Sequence, residues 1–465
     1  MKFSETTIKQ LHNLLNTKKM SPKDLYDQAL GQINLRDDSI NAYIEVFDDQ
    51  DTSSSVGENL LSNIPVAFKD NILIKGKKAS AASQMLENYI ASYDSFVTRQ
   101  LVDAGAMIMG RTNMDDSAMG SSTETSYYGV TRNPLNEERV PGGSSGGPAA
   151  AVAAGMAMYS LGSDTGGSVR QPAAYCGLVG LKPSYGSVSR NGLIAMASSL
   201  DVIGPITHSV EDAEVVFDAI SGYDELDNTS VPIEKRKIYQ VKNTNNKVIG
   251  VPRTFLEMDG IGQDVLKNFN DSLEKMKEEG YRVIDIDLPT IKHSLAVYYI
   301  LQPAEVSSNL ARYDGIRYAL SENGEDLIDG YVKTKSKGFG EEVQRRIMLG
   351  THVLSSGYHD EYFYKALALR SKITKEVHAI FDTVDIIATP TTPGVAFKFN
   401  AKKDPVSMYL EDIFTVPYNL TGNPAISIPS GLDKDGMPFS MHFTAPMFCE
   451  KKIFEAGKDF ERAII

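Results

Sequence analysis

The stretches PGGSSGGPAAAVAAG (141–155) and LGSDTGGSVRQPAAYCGLVGLKP (161–183) decide how this chain is read. Ten of the 39 residues from Gly142 to Gly180 are glycine, and they fall in two Ser/Gly loops, each beside a predicted strand or helix. Glycine lets a backbone come close to a substrate and adopt positive φ. Successive N–H groups in such a loop form a nest that can hold a developing oxyanion, and a serine in the same loop can act as a nucleophile. An Ala-rich helix starting at Pro148 joins the loops and can bring Ser144 and Ser168 to one spot. Ser/Gly loops also serve as plain linkers, but apolar, structured flanks argue against that use here.

Outward from this segment the pattern is strand and helix in alternation. IPVAFK (64–69) reads as a short buried strand, and a helix over Phe96–Asp103 leads through Gly105 into a strand at AMIMG (106–110). Residues 1 to about 60 read as two helices. Ser21 and Pro22 supply an N-cap and a first-turn proline, and Leu25, Ala29 and Ile33 follow at helical spacing. Asp264–Glu279 is amphipathic, with Val265, Phe269, Leu273 and Met276 on one face, and the strand YRVIDIDLP follows it. The region 230–350 reads as a more helical insertion or cap. Strands return at DIIATP and AISIPSG, and a DKDG turn leads into PFSMHFTA. The only linker-like stretch is Glu234–Lys247, and no internal repeat is visible. These features imply an α/β fold with a large mixed sheet covered by helices.

Composition sets limits on function. The 465 residues are 42% hydrophobic and 23% charged, enough for a large core. With 60 acidic against 47 basic residues, the net charge of -13 argues against unassisted binding to a phosphate backbone. Two cysteines, Cys176 and Cys449, give no disulfide framework and fit a reducing compartment. The start MKFSETTIKQLHNLL has no secretory pattern, and no stretch approaches the roughly 18 apolar residues of a membrane span. The expectation is a cytoplasmic protein.

GGSSG (142–146) also fits the G-x-S-x-G nucleophile elbow. That elbow needs a preceding buried strand, whereas NPLNEERVPG is polar and holds two prolines. It also needs a histidine. None lies between His12 and His208, although His293, His352, His359, His378 and His442 come later. Lys69, at the end of its predicted strand and next to Asp70 and Asn71, is another candidate base, though a lone lysine also fits a solvated surface. As a base near pH 7 its pKa must fall from about 10.4 to near 7, about 4–5 kcal/mol, which burial and neighbouring donors can supply.

IPVAFKDN, PGGSSGG and GSDTGGSVRQPAAYCGLVGLKPSYG, three motifs in order, resemble the amidase-signature family. A narrower likeness to the glutaminase subunits (the A subunits) of tRNA-dependent amidotransferases runs through five further segments. These are GRTNMDDSAMGSSTETSYYG (110–129), SRNGLIAMASSLDVIGPIT (189–207), EVSSNLARYDGIRY (305–318), GFGEEVQRRIMLGTHVLSSGYHDEYF (338–363) and DPVSMYLEDIFTVPYNLTGNPAISIP (404–429). Pro148 departs from the small non-proline residue more usual there, and a first helical turn tolerates it.

The resemblance implies one amidase-signature domain over 1–465. Its parts are N-terminal helices (1–60), a catalytic core (61–230), a more helical cap (231–380) and a return to the sheet (381–465). It implies Ser168 as nucleophile, Ser144 beside a cis peptide bond as proton relay, and Lys69 as base. The N–H groups of Thr165, Gly166, Gly167 and Ser168 would form an oxyanion hole. Arg346 would bind a substrate α-carboxylate, Asp412 would face the α-ammonium, and Tyr298 would contact the substrate. Each of these has a plainer reading. Arg345 and Arg346 can pair with Glu341 and Glu342 at helical spacing, Tyr298 and Tyr299 can be core, and Asp412 beside Glu411 can be a solvated acidic face. The implied activity is glutamine hydrolysis supplying ammonia for conversion of Glu-tRNA(Gln) to Gln-tRNA(Gln). The implied partners are the B and C subunits of a heterotrimer, with the tRNA held mainly by the partner. No cofactor or metal is expected in this chain. ATP and Mg2+ belong on the partner, consistent with the lack of a GxxxxGK[ST] loop here. A stand-alone amidase acting on another small amide is the alternative.

Overall fold

The computed structural model describes residues 2–48, 50, 52–53, 55–239, 246–402 and 404–464. Strand β4 (Tyr159–Asp164) is buried along its whole length. In chain order the other strands are β1 (Tyr43–Val46), β2 (Pro65–Lys69), β3 (Met107–Thr112), β5 (Val179–Lys182), β6 (Val202–Thr207), β7 (Val248–Val251), β8 (Arg282–Asp285), β9 (Ile386–Pro390), β10 (Ala425–Leu432) and β11 (Pro438–Thr444). Among the described residues these eleven strands form one sheet in the order β1-β3-β2-β4-β6-β5-β10-β11-β9-β7-β8. The sheet is mixed. β2 runs parallel to β3 and β4, and β7 runs parallel to β8 and β9. The β4–β6, β6–β5, β5–β10, β10–β11 and β11–β9 pairs are antiparallel.

Strands β2 to β7 and β9 bury every residue, so helices and loops cover both faces. This is why strands such as β2, β7 and β9 read as largely apolar runs. The register Val66↔Tyr159, Phe68↔Leu161 sets the site. Because β2 and β4 are parallel, Lys69 and the loop after Asp164 leave the sheet at the same edge, the edge where open α/β sheets place their ligands.

The N-terminal helices form as their signals predict. Ile8–Asn16 is capped by a Thr7/Gln10 box, and Pro22–Ile40 by a Ser21/Asp24 box with Pro22 in its first turn. The helix predicted over Phe96–Asp103 has those bounds, and the amphipathic segment is the helix Gln263–Glu278. Two stretches hold more strand than their patterns suggest. Residues 1–60 also supply β1, and the helix-rich region after 230 supplies β7 in addition to the predicted strand YRVIDIDLP, which is β8. Four-residue runs such as VIGV are too short for periodicity to separate strand from helix. Of the linker-like stretch Glu234–Lys247, the first residues belong to the helical turn Ile233–Arg236, and residues 240–245 lie outside the described residues.

The helices Ser294–Asn309, Leu327–Gly338, Glu341–Leu354 and Tyr364–Ile380 fall in the stretch read from the sequence as a helical cap. Two of them matter for the site. Ser294–Asn309 carries Tyr298 and Glu341–Leu354 carries Arg346. Their backbones touch where Gly350 meets the Pro303 carbonyl, so closely that a Cβ at Gly350 would overlap the oxygen. Gly350→Ala gains up to about 1 kcal/mol of helix propensity. The overlap is with backbone and cannot be relieved by a rotamer change, and overpacking of this kind costs about 1–3 kcal/mol. A net destabilisation of about 1–2 kcal/mol is therefore expected, measured as a lower urea midpoint with an unchanged slope.

Candidate active site

Lys69 is fully buried at the end of β2. Its Nζ reaches three oxygens: Ser144 Oγ at 2.8 Å, Ser163 Oγ at 2.9 Å and the Ser163 carbonyl at 3.2 Å. Two are hydroxyls, which donate as readily as they accept, so the cage suits a neutral amine as well as an ammonium. Burial pushes the Lys69 pKa down to about 7, against the pull of Asp115, Asp164 and Asp201. The lysine can thus be neutral at physiological pH. Asn71 Nδ2 donates to Ser163 Oγ at 2.9 Å and fixes that hydroxyl. Ser163 is not among the residues singled out in the sequence. The signal for it is a hydroxyl on the strand paired with the one that carries Lys69.

Ser144 follows a cis Gly143–Ser144 peptide. No strand immediately precedes it, so the elbow geometry is absent. The Ser145 N–H donates to the Ser168 carbonyl at 3.2 Å, which ties the two Ser/Gly loops together. Among the described residues the Ser168 hydroxyl has no hydrogen-bond partner, and the N–H groups of Gly166, Gly167 and Ser168 donate to no protein acceptor. These unpaired donors in one short loop can receive an oxyanion. The Thr165 hydroxyl is held by Asp201 at 2.7 Å.

Around this loop the fit is tight. A Cβ on Gly166 would lie 2.8 Å from Tyr298 Oη, and one on Gly167 would overlap the Thr415 hydroxyl and lie 3.3 Å from Asp412 Oδ1. Gly167 also has φ +147°. Only glycine fits both positions, and the same contacts place Tyr298 and Asp412 against the candidate oxyanion loop. A buried ion pair whose members lie in the second motif but are not among the residues singled out in the sequence closes the loop. Asp164 accepts from Arg170 Nε at 3.0 Å and NH2 at 2.9 Å, and both residues are fully buried. Burial alone would raise the Asp164 pKa, but Arg170 and Asn419 hold it well below the carboxylate range.

The residues implied for substrate binding also come together. Asp412 Oδ2 accepts from Ser121 Oγ at 2.9 Å. Burial pushes the Asp412 pKa up to about 8, against Ser121 and Arg346. Arg346 is buried, with Nε on Glu342 Oε1 at 2.7 Å and NH1 on Gln302 Oε1 at 3.3 Å. The helical pairing with Glu342 therefore forms. Arg345 also pairs with Glu342 but is exposed. The Arg346 guanidinium carbon lies 5.4 Å from the ring centres of both Tyr299 and Tyr409. A cavity of about 350 Å3 opens beside it, lined among others by Ser121, Glu342, Arg346 and Tyr409. Ser168 does not line this cavity. Ser121 connects it to Asp412 and so to the candidate oxyanion loop. Among the described residues, no group of three or more His, Cys, Asp or Glu side chains is placed to hold a metal ion, and no helix is long and apolar enough to cross a membrane.

A family model described as Amidase matches residues 24–454. The chain belongs to the amidase family. Within it, the glutamyl-tRNA(Gln) amidotransferase A subunit of Halothermothrix orenii is 45% identical over 469 residues, covering 100% of this chain and 98% of that one. The same subunit of Methylacidiphilum infernorum is 46% identical, covering 99% and 95%. Among solved amidase-family structures, that subunit from Thermotoga maritima superposes with a TM-score of 0.82 at 41% identity, covering 99% of this chain and 95% of that one. The peptide amidase of Stenotrophomonas maltophilia superposes with a TM-score of 0.81 at 25% identity, covering 99% and 97%.

A base that must be neutral gives a pH profile of known sign. Reaction of Ser168 with a fluorophosphonate should rise as one proton leaves with a midpoint near pH 7, the Lys69 value. Lys69→Arg keeps its proton at every pH in the range. It should label about 10²-fold more slowly or worse throughout, read by mass spectrometry of the labelled peptide.

Proposed function

We propose that this chain hydrolyses glutamine to glutamate and ammonia as the A subunit of a glutamyl-tRNA(Gln) amidotransferase. The observation that carries this reading is a carboxylate, Asp412, held against Gly167 of the loop, with a guanidinium, Arg346, near enough to pull its pKa down. A free α-amino acid offers the matching pair of charges. Among the described residues no cation pairs directly with Asp412, and burial holds its proton up to about pH 8. A substrate ammonium supplies the missing charge, and a simple amide does not. Leaving such a group unpaired is how a site rejects an analogue. The full-length similarity to the A subunits of several bacteria supports the same reading.

The chemistry follows from the geometry. Neutral Lys69 takes the Ser144 hydroxyl proton across the 2.8 Å contact, and Ser144 takes the proton of Ser168. Ser168 Oγ then attacks the side-chain carboxamide carbon, and the oxygen that becomes negative rests on the free N–H groups of the loop, with Thr165 at its start. Hydrogen bonds between catalytic groups are often long before substrate binds, and the Ser144–Ser168 link closes as the amide seats. The proton returns through Ser144 to the leaving nitrogen, ammonia departs, and water frees the γ-carboxyl from the serine ester. Tyr298, which burial keeps a neutral phenol, packs on the loop beside the substrate.

In this reading the chain works in the cytoplasm with the B and C subunits. ATP and Mg2+ act on the partner that receives the ammonia, and that partner holds the tRNA. An acidic surface with a net charge of -13 suits this division. A stand-alone amidase has no use for the Arg346 and Asp412 pair.

Ser168→Ala should abolish glutamine-dependent transamidation of Glu-tRNA(Gln) and leave ammonia-dependent transamidation intact. Survival of both activities would overturn the nucleophile assignment. Arg346→Lys and Asp412→Asn should each lower kcat/KM for glutamine by roughly 10–10³-fold, as expected for a broken charged contact. The pH profile of kcat/KM should also carry a second one-proton rise near pH 8, where Asp412 ionises. Asp412→Asn should lose that rise.

A further inference from the structure

Gln171 is the second residue of the short helix Arg170–Tyr175 that follows Ser168. It is fully buried, and it touches three separate loops. Its own N–H donates to the Gly167 carbonyl at 2.8 Å. Its Oε1 accepts from the Gly143 N–H at 2.9 Å, one residue before Ser144. Its Nε2 donates to the Ser121 carbonyl at 2.8 Å. The Ser121 hydroxyl in turn donates to Asp412. One residue thus joins three segments, its backbone bonding to the nucleophile loop and its carboxamide linking the relay loop to the segment whose Ser121 holds Asp412.

Chemistry narrows what can do this. A backbone N–H only donates and a backbone carbonyl only accepts, so the amide has a single orientation here. Among side chains of this length only glutamine offers a donor and an acceptor on one plane that stays neutral at every pH. Lysine and arginine have no acceptor, and an ionised glutamate has no donor. Each arm ends on a different part of the proposed reaction. The Oε1 arm holds the peptide next to Ser144, and the Nε2 arm holds the segment that presents Ser121 to the cavity and to Asp412.

We propose that Gln171 is a positioning residue that holds the amino-acid-binding side of the site, Ser121 and through it Asp412, in register with Ser144 and Ser168. The proposal rests on the glutaminase reading above. A displacement of about 1 Å between binding groups and reacting atoms is enough to cost on the order of 10²-fold in rate, so a single tether between the two sides has a measurable effect.

The test uses the full chain, purified with any subunits that accompany it, and two readouts. One is KM and kcat for glutamine, and the other is the rate of fluorophosphonate labelling at Ser168, which needs no amino-acid recognition. Gln171→Met keeps the volume and removes both arms. With a thermal midpoint close to that of the unsubstituted chain, it should raise KM about tenfold and slow labelling about tenfold. Gln171→Glu, assayed at pH 8.5, keeps the acceptor for Gly143 and loses the donor. It should raise KM by a similar factor while labelling stays within about twofold. The proposal is overturned if folded Gln171→Met keeps both values, or if activity falls only in proportion to the folded fraction. It is equally overturned if neither variant folds, since Gln171 then serves stability alone. If the unsubstituted chain labels at Ser168 but does not turn over glutamine, the glutaminase reading is what fails. Labelling of Gln171→Met then decides the tether by itself, a tenfold loss supporting it and an unchanged rate ending it.

Discussion

Asp164 and Arg170 meet with no access to water, six residues apart, at the two ends of the loop that carries Ser168. Removing two charges from water is expensive, and such a pair adds little net stability over well-packed apolar side chains. Its value here is directional. Arg170 also reaches the Thr415 carbonyl, Asn419 and His442, while Asp164 accepts the Val169 N–H as the helix begins. The loop between them is therefore pinned at both ends and on its outer side, where Thr415 donates to the Gly166 carbonyl at 2.6 Å. Every group proposed to act on the substrate is placed relative to this closed loop. Losing one partner would strand the other charge in the core, at about 3–5 kcal/mol.

Two further groups are held away from their ordinary charge. Burial favours neutral Lys69 at the end of β2 and protonated Asp412 against Gly167. The resting site therefore carries fewer charges than its residue types suggest. In the proposed reaction each group finds its counterpart, the lysine in the proton from the serines and the aspartate in the amino group of the substrate. Desolvation makes both encounters stronger than they would be in water.

How much of this was legible in the chain depends on distance along it. Lys69, Ser144 and Ser168 sit in short motifs whose chemistry is local, and Ser21–Pro22 spelled out a helix start that the structure has. The α/β class and most long strands were readable from apolar runs. The order of the sheet was not, since β5 pairs with β10, which comes far later in the chain. The polar contacts behind the site were missed for the same reason. Arg170 to Asn419 spans 249 positions and Ser121 to Asp412 spans 291, and no spacing rule reaches that far. Arg346 shows a different limit. Its two readings, helix pair and substrate anchor, are compatible, because Nε serves Glu342 while NH1 points elsewhere, to Gln302.

Tyr298 and Arg346 stand on cap helices that lean on each other through Gly350 and Pro303, whereas Lys69 and the serines stand on the sheet edge. In the proposed reading such a layout separates inheritance of the reaction from inheritance of much of its selectivity. Sequence drift in the cap can reshape which amide is admitted while the bond-breaking apparatus stays as it was. A lineage built this way can diversify by exchanging its doorway and keeping its engine.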